Sequence, residues 1–297
     1  MSSIGRTTLP GIYGRIATQV SKNQVKLADA YQEITSGKAI NRPSDDPIGT
    51  LQVMTLRRDN VRQVMYASAA EDARQILDAS DSALQEASEI LNSAMERLTQ
   101  AGGIAGQDST TREALASEID QLRNELLSIA NRTHLDRPLF SGTTTPTPTF
   151  DSNGNYLGNS DPILRDVAEG ETLQITTPGD QVFGSGPTGM IAALTTAADA
   201  IRNNDSAGRA TAMATFVAGQ DTFAVAMTEV GARQRRVDSA IVSADARQLA
   251  NAKDISNVED VDFAEATIRL KAMELTYQAT LAAAGKVSQF TLLDFLR

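Results

Sequence analysis

Asn41-Arg42-Pro43-Ser44-Asp45-Asp46-Pro47, with the run of helix formers from Ile48 to Ala101 behind it, decides how this chain folds. Pro47 suits a first helical position, where its missing N–H costs nothing. Asp46 precedes a proline and is pushed out of the α region into the geometry of an N-cap. Asn41, Pro43 and Asp45 complete a capping loop between two helices. After Gly49 the run holds no Gly and no Pro, and Leu77, Leu84, Leu91 and Leu98 recur every seven residues beside Ile76, Ala83 and Ile90. Such a helix rises roughly 75 Å at ~1.5 Å per residue. A leucine seam of that length calls for other helices laid along it in a left-handed bundle.

Working outward toward the N-terminus, residues 1–11 contain Gly5, Pro10 and Gly11 and should be irregular. Ile12, Ile16, Val20, Leu27, Tyr31 and Ile34 form a helical stripe over 12–34, broken by the polar Asn23 and Gln24. Ser36-Gly37 is its stop, with Gly37 able to take the left-handed conformation past a helix end. Toward the C-terminus, Gly102, Gly103 and Gly106 end the long helix. Thr110 and Glu113 have the spacing of a capping box, opening a helix with the seam Leu115, Ile119, Leu122, Leu126 and Ile129.

The character changes at Leu135. Two prolines and five threonines lie within 143–149, and Asp151-Ser152-Asn153-Gly154-Asn155 is a turn signal between Phe150 and Tyr156. Glu171–Thr177 alternates through Leu173 and Ile175, so 135–186 reads as a small β-rich insert. Helical pattern resumes near Gly189. Its main run, 206–250, carries Phe223, Met227, Val230, Val237, Ile241 and Ala244, with Gln220, Gln234 and Gln248 on some of the same seam positions. Asn257 to Asp262 should break it, and Asp262 with Glu265 should cap the last helix. That helix bears two stripes. One holds Ile268, Ala272, Leu275, Ala279 and Ala282; the other holds Leu270, Met273, Tyr277, Leu281 and Ala284. Phe290, Leu292, Leu293, Phe295 and Leu296 then make a strongly apolar end.

Neither terminus has enough large apolar residues for a core of its own, so each needs a partner helix, and the nearest is the other terminus. The expected fold class is mainly α with a small β-rich insert. Three domains are expected: 1–40 with 255–297 as a terminal coiled coil, 41–134 with 187–254 as a long-helix bundle, and 135–186 as an outer β-rich domain. The 12–34 stripe, Ile268, Leu275, Tyr277 and Leu281 of the last helix, and the apolar end are the expected subunit-interface residues. Such a plan belongs to a subunit of an assembly rather than to a pocket-bearing enzyme.

Composition narrows the function classes. The 297 residues include no Cys, no Trp and one His, and aromatics make up 4%. Without Cys there are no disulfides, zinc–thiolate sites or thiol nucleophiles. A net charge of −10 disfavours nucleic acid and anionic lipid as partners. No apolar run suits a secretory signal peptide or a membrane span. His134, at an expected helix end, is the one possible imidazole base, and Asp45-Asp46 lack a second ligand cluster for a metal. Gly184–Gly189 lacks the Lys-Ser/Thr of a phosphate loop. Arg233, Arg235 and Arg236 read as a solvated or ion-paired face beside Asp238. Asn131-Arg132-Thr133 matches a glycosylation sequon. No cofactor, metal or catalytic constellation is expected. A carbohydrate-binding alternative would rest on Phe150, Tyr156 and Phe183 as aromatic platforms in the insert.

Ile34-Thr35-Ser36-Gly37-Lys38, followed by Asn41 through Pro47, resembles the N-terminal signature of bacterial flagellins and the hook-associated proteins related to them. Val258-Glu259-Asp260-Val261-Asp262-Phe263-Ala264 through Leu292-Leu293 resembles the C-terminal pattern of the same superfamily, and the resemblance covers nearly the whole chain. The Pro-Ser-Asp-Asp-Pro form, Leu126–Asn131 leading to Leu139-Phe140-Ser141-Gly142, and Gly179-Asp180-Gln181-Val182-Phe183 resemble the branch known as hook-associated protein 3, the hook–filament junction proteins. A short flagellin is the alternative within the superfamily. The resemblance implies further copies of the chain as partners, hook-associated protein 1 on one side, flagellin or the filament cap on the other, and an export chaperone. It also implies an extracellular location on the flagellum, reached through the flagellar secretion system without a cleaved signal peptide.

Overall fold

The computed structural model describes residues 9–103 and 108–295. Its elements are helix α1 (Leu9–Ser36), α2 (Pro47–Gly102), α3 (Ser109–Ala130), strands β1 (Thr133–His134), β2 (Arg137–Pro138), β3 (Leu164–Ala168) and β4 (Glu171–Gln174), then α4 (Gly179–Val182), α5 (Met190–Arg202), α6 (Ser206–Glu259) and α7 (Phe263–Phe295). The chain is mainly helical with small two-stranded sheets, in agreement with its heptads. It divides into two compact units, 1–61 with 248–297 and 62–247.

In the 62–247 unit the heptad leucines do what their spacing demands. Leu77, Leu84, Leu91 and Leu98 are all buried against Leu115, Ile119 and Leu126 of α3, Leu194 and Ile201 of α5, and Phe216, Phe223 and Val230 of α6. Each such side chain contributes roughly 1.5–3 kcal/mol on full burial. Gln220 and Gln234, polar on an apolar seam, are partnered across the bundle. The Gln220 amide donates to the Ser88 carbonyl at 2.7 Å, and Gln234 donates to Asp78 at 2.9 Å. Arg202 ties the end of α5 to Glu113 and Asp120 of α3.

The insert holds less strand than its composition suggests. It contains the β3–β4 hairpin with an irregularity between Asp166 and Ala168, the two-residue β1–β2 pair, and an isolated Phe150–Tyr156 bridge. Val182 lies in the short helix α4 rather than a strand. Pro146, Pro148, Pro162 and Pro178 remove ladder donors along this segment, and loops take the place of longer strands. What holds the insert together is aromatic. Phe183 packs edge-on against Phe140, Phe150 and Phe223 of α6, with ring centroids 5.1, 5.8 and 5.6 Å apart. Gly179 sits where any Cβ would meet the Phe150 ring at 2.8 Å, so only glycine admits this approach.

Four expectations are corrected. Asp108, not Thr110, is the N-cap of α3: its φ and ψ are −84° and 134°, and its carboxylate accepts from the Thr111 N–H at 3.0 Å. α6 continues through Asn257 to Glu259, because the Glu259 carbonyl is satisfied by the Ala39 N–H at 2.7 Å instead of ending at the acidic stretch. His134 lies in β1, beyond the end of α3. Phe150 and Phe183, the candidate sugar platforms, are each 1% exposed and belong to the core. Half-buried Tyr156 has its hydroxyl 2.9 Å from the Phe140 carbonyl and 2.7 Å from that of Asn159. Burial, with Asp180 nearby, pushes that phenol up to about 12. The Asn131 amide of the sequon is likewise engaged, donating to the Phe150 carbonyl at 3.0 Å and accepting from its N–H at 2.7 Å.

Candidate assembly interface

The two terminal helices run antiparallel within the 1–61 and 248–297 unit. Asn23 pairs with Thr280, Tyr31 with Glu274 and Glu33 with Arg269, the numbers falling on one helix as they rise on the other. Asn23, at the polar break in the α1 stripe, is buried. Its amide donates to the Thr280 hydroxyl at 2.7 Å and accepts from Gln19 at 3.0 Å. A buried amide on a helical seam fixes register at some cost in stability. The Tyr31 hydroxyl donates to Glu274 at 2.6 Å, holding that carboxyl below its usual range and raising the phenol.

Beyond Ser36 the chain turns at Gly37, whose φ is +70°. Lys38 then forms a β-bridge with Asp260, and the Val261 N–H donates to the Gly37 carbonyl at 3.0 Å. Glu259 sits at the closing point. It is 8% exposed, with Lys38 Nζ at 2.7 Å and Arg57 Nη2 at 2.6 Å from its carboxylate oxygens. A carboxylate on the last residue of α6 opposes the helix dipole, and two cations offset it. The Lys38 ammonium first, and the Arg57 guanidinium with it, hold the Glu259 carboxyl below the ordinary value against the opposing effect of burial.

The capping loop divides labour between its two acids. Asp46 Oδ1 accepts from the N–H groups of Ile48 and Gly49, both at 3.0 Å, which is the N-cap of α2. Asp45 Oδ2 accepts from the backbone N–H groups of Asn41 at 3.2 Å and Arg42 at 2.7 Å, folding the loop back on itself. The Asn41 amide donates to the Lys38 carbonyl at 2.8 Å. Pro43 and Pro47 are exposed. Asp262 caps α7 in the same way, accepting from Ala264 and Glu265, while Glu265 turns to Arg269.

The two stripes of α7 have different fates. Leu270, Met273, Tyr277 and Ala284 are half-buried, whereas Ile268, Ala272, Leu275, Ala279 and Ala282 are exposed, Ile268 and Leu275 at 72% and 69%. Leu281 is 44% exposed. On α1, Ile16, Val20, Leu27 and Ile34 are half-buried and Tyr31 is exposed. Ile48, Leu51 and Met54 add an exposed apolar row at the start of α2. The side chains of Ile12, Phe290, Leu292, Leu293 and Phe295, and all of Leu296, lie outside the described residues. Lys38 and Glu259 belong to the terminal motifs and Arg57 to none, and nothing local signals an ion cluster whose members stand far apart in the chain. Among the described residues no group of His, Asp or Glu is placed to hold a metal, and no helix is long and apolar enough to cross a membrane.

Comparison with known proteins follows this geometry. The bacterial flagellin N-terminal helical region matches residues 13–145, and the bacterial flagellin C-terminal helical region matches residues 220–296. The chain is 27% identical to flagellar hook-associated protein 3 of Salmonella typhimurium, over 59% of this chain and 55% of that one. It is 26% identical to flagellar hook-associated protein 3 of Escherichia coli, over 86% of this chain and 88% of that one. The crystal structure of flagellar hook-associated protein-3 from Legionella pneumophila shares the fold at a TM-score of 0.61 and 14% identity, covering 69% of this chain and 98% of that one. With the two helical regions of flagellin matched at opposite ends of the sequence and its termini paired in space, the chain belongs to the bacterial flagellin family.

Proposed function

We propose that this chain is a structural subunit of the bacterial flagellum that joins hook to filament in the manner of hook-associated protein 3. The observation that carries the reading is the alignment with the Escherichia coli protein, which runs along most of both chains, insert included. The terminal unit supports it physically. Its exposed Ile268, Leu275, Ile48 and Leu51 form apolar surface of the kind that marks a protein–protein contact. Further copies of the chain cover these stripes laterally. Hook-associated protein 1 contacts it on the hook side, and flagellin or the filament cap on the other. Before export through the flagellar secretion system, a chaperone shields the C-terminal helix and its apolar end, Phe290 to Leu296. The role is structural and needs no cofactor.

A short flagellin is the second reading, favoured by the matches to the helical regions of flagellin itself. Immunogold labelling of flagella separates the two. The junction role predicts label confined to the hook–filament boundary, and deletion of the gene should leave hooks bare while flagellin collects in the medium. Label along the whole filament would replace the junction reading with the flagellin one.

A further inference from the structure

The β1–β2 hairpin borders a hollow in the 62–247 unit. Leu135 and Asp136, its two turn residues, adopt φ values of +48° and +61°. They are the central residues of the two-residue hairpin closed by His134 and Arg137, and such a turn requires positive φ at both positions. Leu135 is 81% exposed. His134, Leu135 and Arg137 line a hollow of about 170 Å³ within the 62–247 unit. Its remaining walls are largely apolar, from Ile76 of α2, Leu139, Ile163 and Ile175. At that volume the partly open hollow has room for one ring or a short branched chain.

Its polar lining points to the rest of the ligand. Arg137 on β2 and Arg165 on β3 both border the hollow, and neither guanidinium has a hydrogen-bonded or ionic partner among the described residues. The Arg165 Nε–H is moreover buried with nothing to accept it. A buried donor left unpaired is unfavourable, and its presence in a native fold asks for an acceptor from outside. Asp72 lies on the same rim and offsets one of the two guanidiniums, leaving the lining with a net positive charge. Guanidinium forks match carboxylates in geometry as well as charge. We propose that this hollow binds a small organic carboxylate with an aromatic or branched aliphatic body, the body against Ile76, Ile163 and Ile175 and the carboxylate between Arg137 and Arg165. This site is independent of the assembly role and does not depend on it.

The full chain, titrated by calorimetry and by saturation-transfer NMR with benzoate and with its neutral counterpart benzyl alcohol, tests the proposal. Saturable benzoate binding is expected, weakened at least tenfold in R137Q and in R165Q, with benzyl alcohol the weaker ligand and indifferent to both changes. Arg137 is exposed and its side chain makes no hydrogen bond or ion pair, so R137Q retains the fold even if R165Q, on a half-buried strand position, does not. Absence of saturable benzoate binding, equal affinity for the alcohol, or unchanged benzoate affinity in folded R137Q would each overturn it.

Discussion

The 62–247 unit and the unit of paired termini are built from the same heptad grammar and end in opposite states. In the first, a continuous apolar cluster runs from Ala70 to Ala240 and closes over the insert through Phe183. Among the described residues of the second, the buried apolar ones are Ala30, Val53 and Ala266, joined by the polar Asn23 and Glu259. Small side chains let α1 and α7 approach closely, but they remove little apolar surface from water, and at ~25 cal/mol per Å² they contribute little. Large side chains such as Ile268 and Leu275 point away from the pair. A helix pair of this kind is stabilised by polar matching and register, and completed by whatever covers its outer stripe. One unit is a finished core; the other is half of one.

The largest break in that contrast comes from the finished core. Phe183 is 1% exposed and touches three other rings, so Phe183→Ala removes both its burial and the edge-on contacts that bind the insert to α6. Aromatic truncations in cores cost about 3–5 kcal/mol. The expected result is a lowered main thermal transition in calorimetry, with the insert's near-UV signal lost first. A change below about 1 kcal/mol would mean that the aromatic cluster does not hold the insert.

Glu259→Gln should act on the other side of the comparison. It removes the charge that gathers Lys38 and Arg57 at the base of the paired helices. Both cations are about half exposed, so the expected cost is about 1–2 kcal/mol, above the median for a surface pair but short of a buried one. It should appear as faster amide exchange over 20–40 and 260–280, with exchange in α3 and α5 unchanged. The pH dependence follows from the lowered carboxyl value. Because the folded group titrates below its unfolded value of about 4.3, its stabilisation is present above that value and fades as the pH falls toward the folded one. Wild type should therefore lose protection at the base of α1 on acidification, and the Gln variant should show a flatter profile there. Equal acid profiles would assign the latch to some other group.

What could be read in the sequence was local or periodic. The leucine seam of α2, the stop at Gly37 and the cap at Asp46 each depend on neighbours within a few residues, and each is visible as a pattern. Long-range pairing was not legible. Asn23 looked like an interruption because its partner, Thr280, lies at the other end of the chain. Glu259 looked like part of an acidic break, and only the fold brings Lys38 and Arg57 to it. Phe150 and Phe183 sit in a loop-rich stretch where exposure and burial share one composition, and packing of Phe183 on Phe223 and of Phe150 on Phe183 decides between them. In the insert, turn chemistry was legible at Asp151, whose carboxylate accepts from the N–H groups of Asn153 and Asn155, but strand length was not.

The smallest expected effect tests how tightly local chemistry binds the terminal unit to the long helix. Gly49 lies in the first turn of α2, where replacing glycine by alanine ordinarily gains roughly 0.5–1 kcal/mol through backbone entropy. Here a Cβ would stand 2.5 Å from Asp46 Oδ2 and 2.7 Å from Ile40 Cδ1. The carboxylate cannot retreat without giving up its bonds to the N–H groups of Ile48 and Gly49. Loss of such a cap costs about 1 kcal/mol, so gain and loss nearly cancel and the sign is informative. Gly49→Ala should be destabilising by up to about 1 kcal/mol, and in an Asp46→Ala background, where the cap is already gone, the same change should become neutral or stabilising. Denaturation of the four chains as a double-mutant cycle reads the coupling directly. Additive effects would show that Asp46 can move aside at no cost, and that the junction between loop and helix is looser than its hydrogen bonds imply.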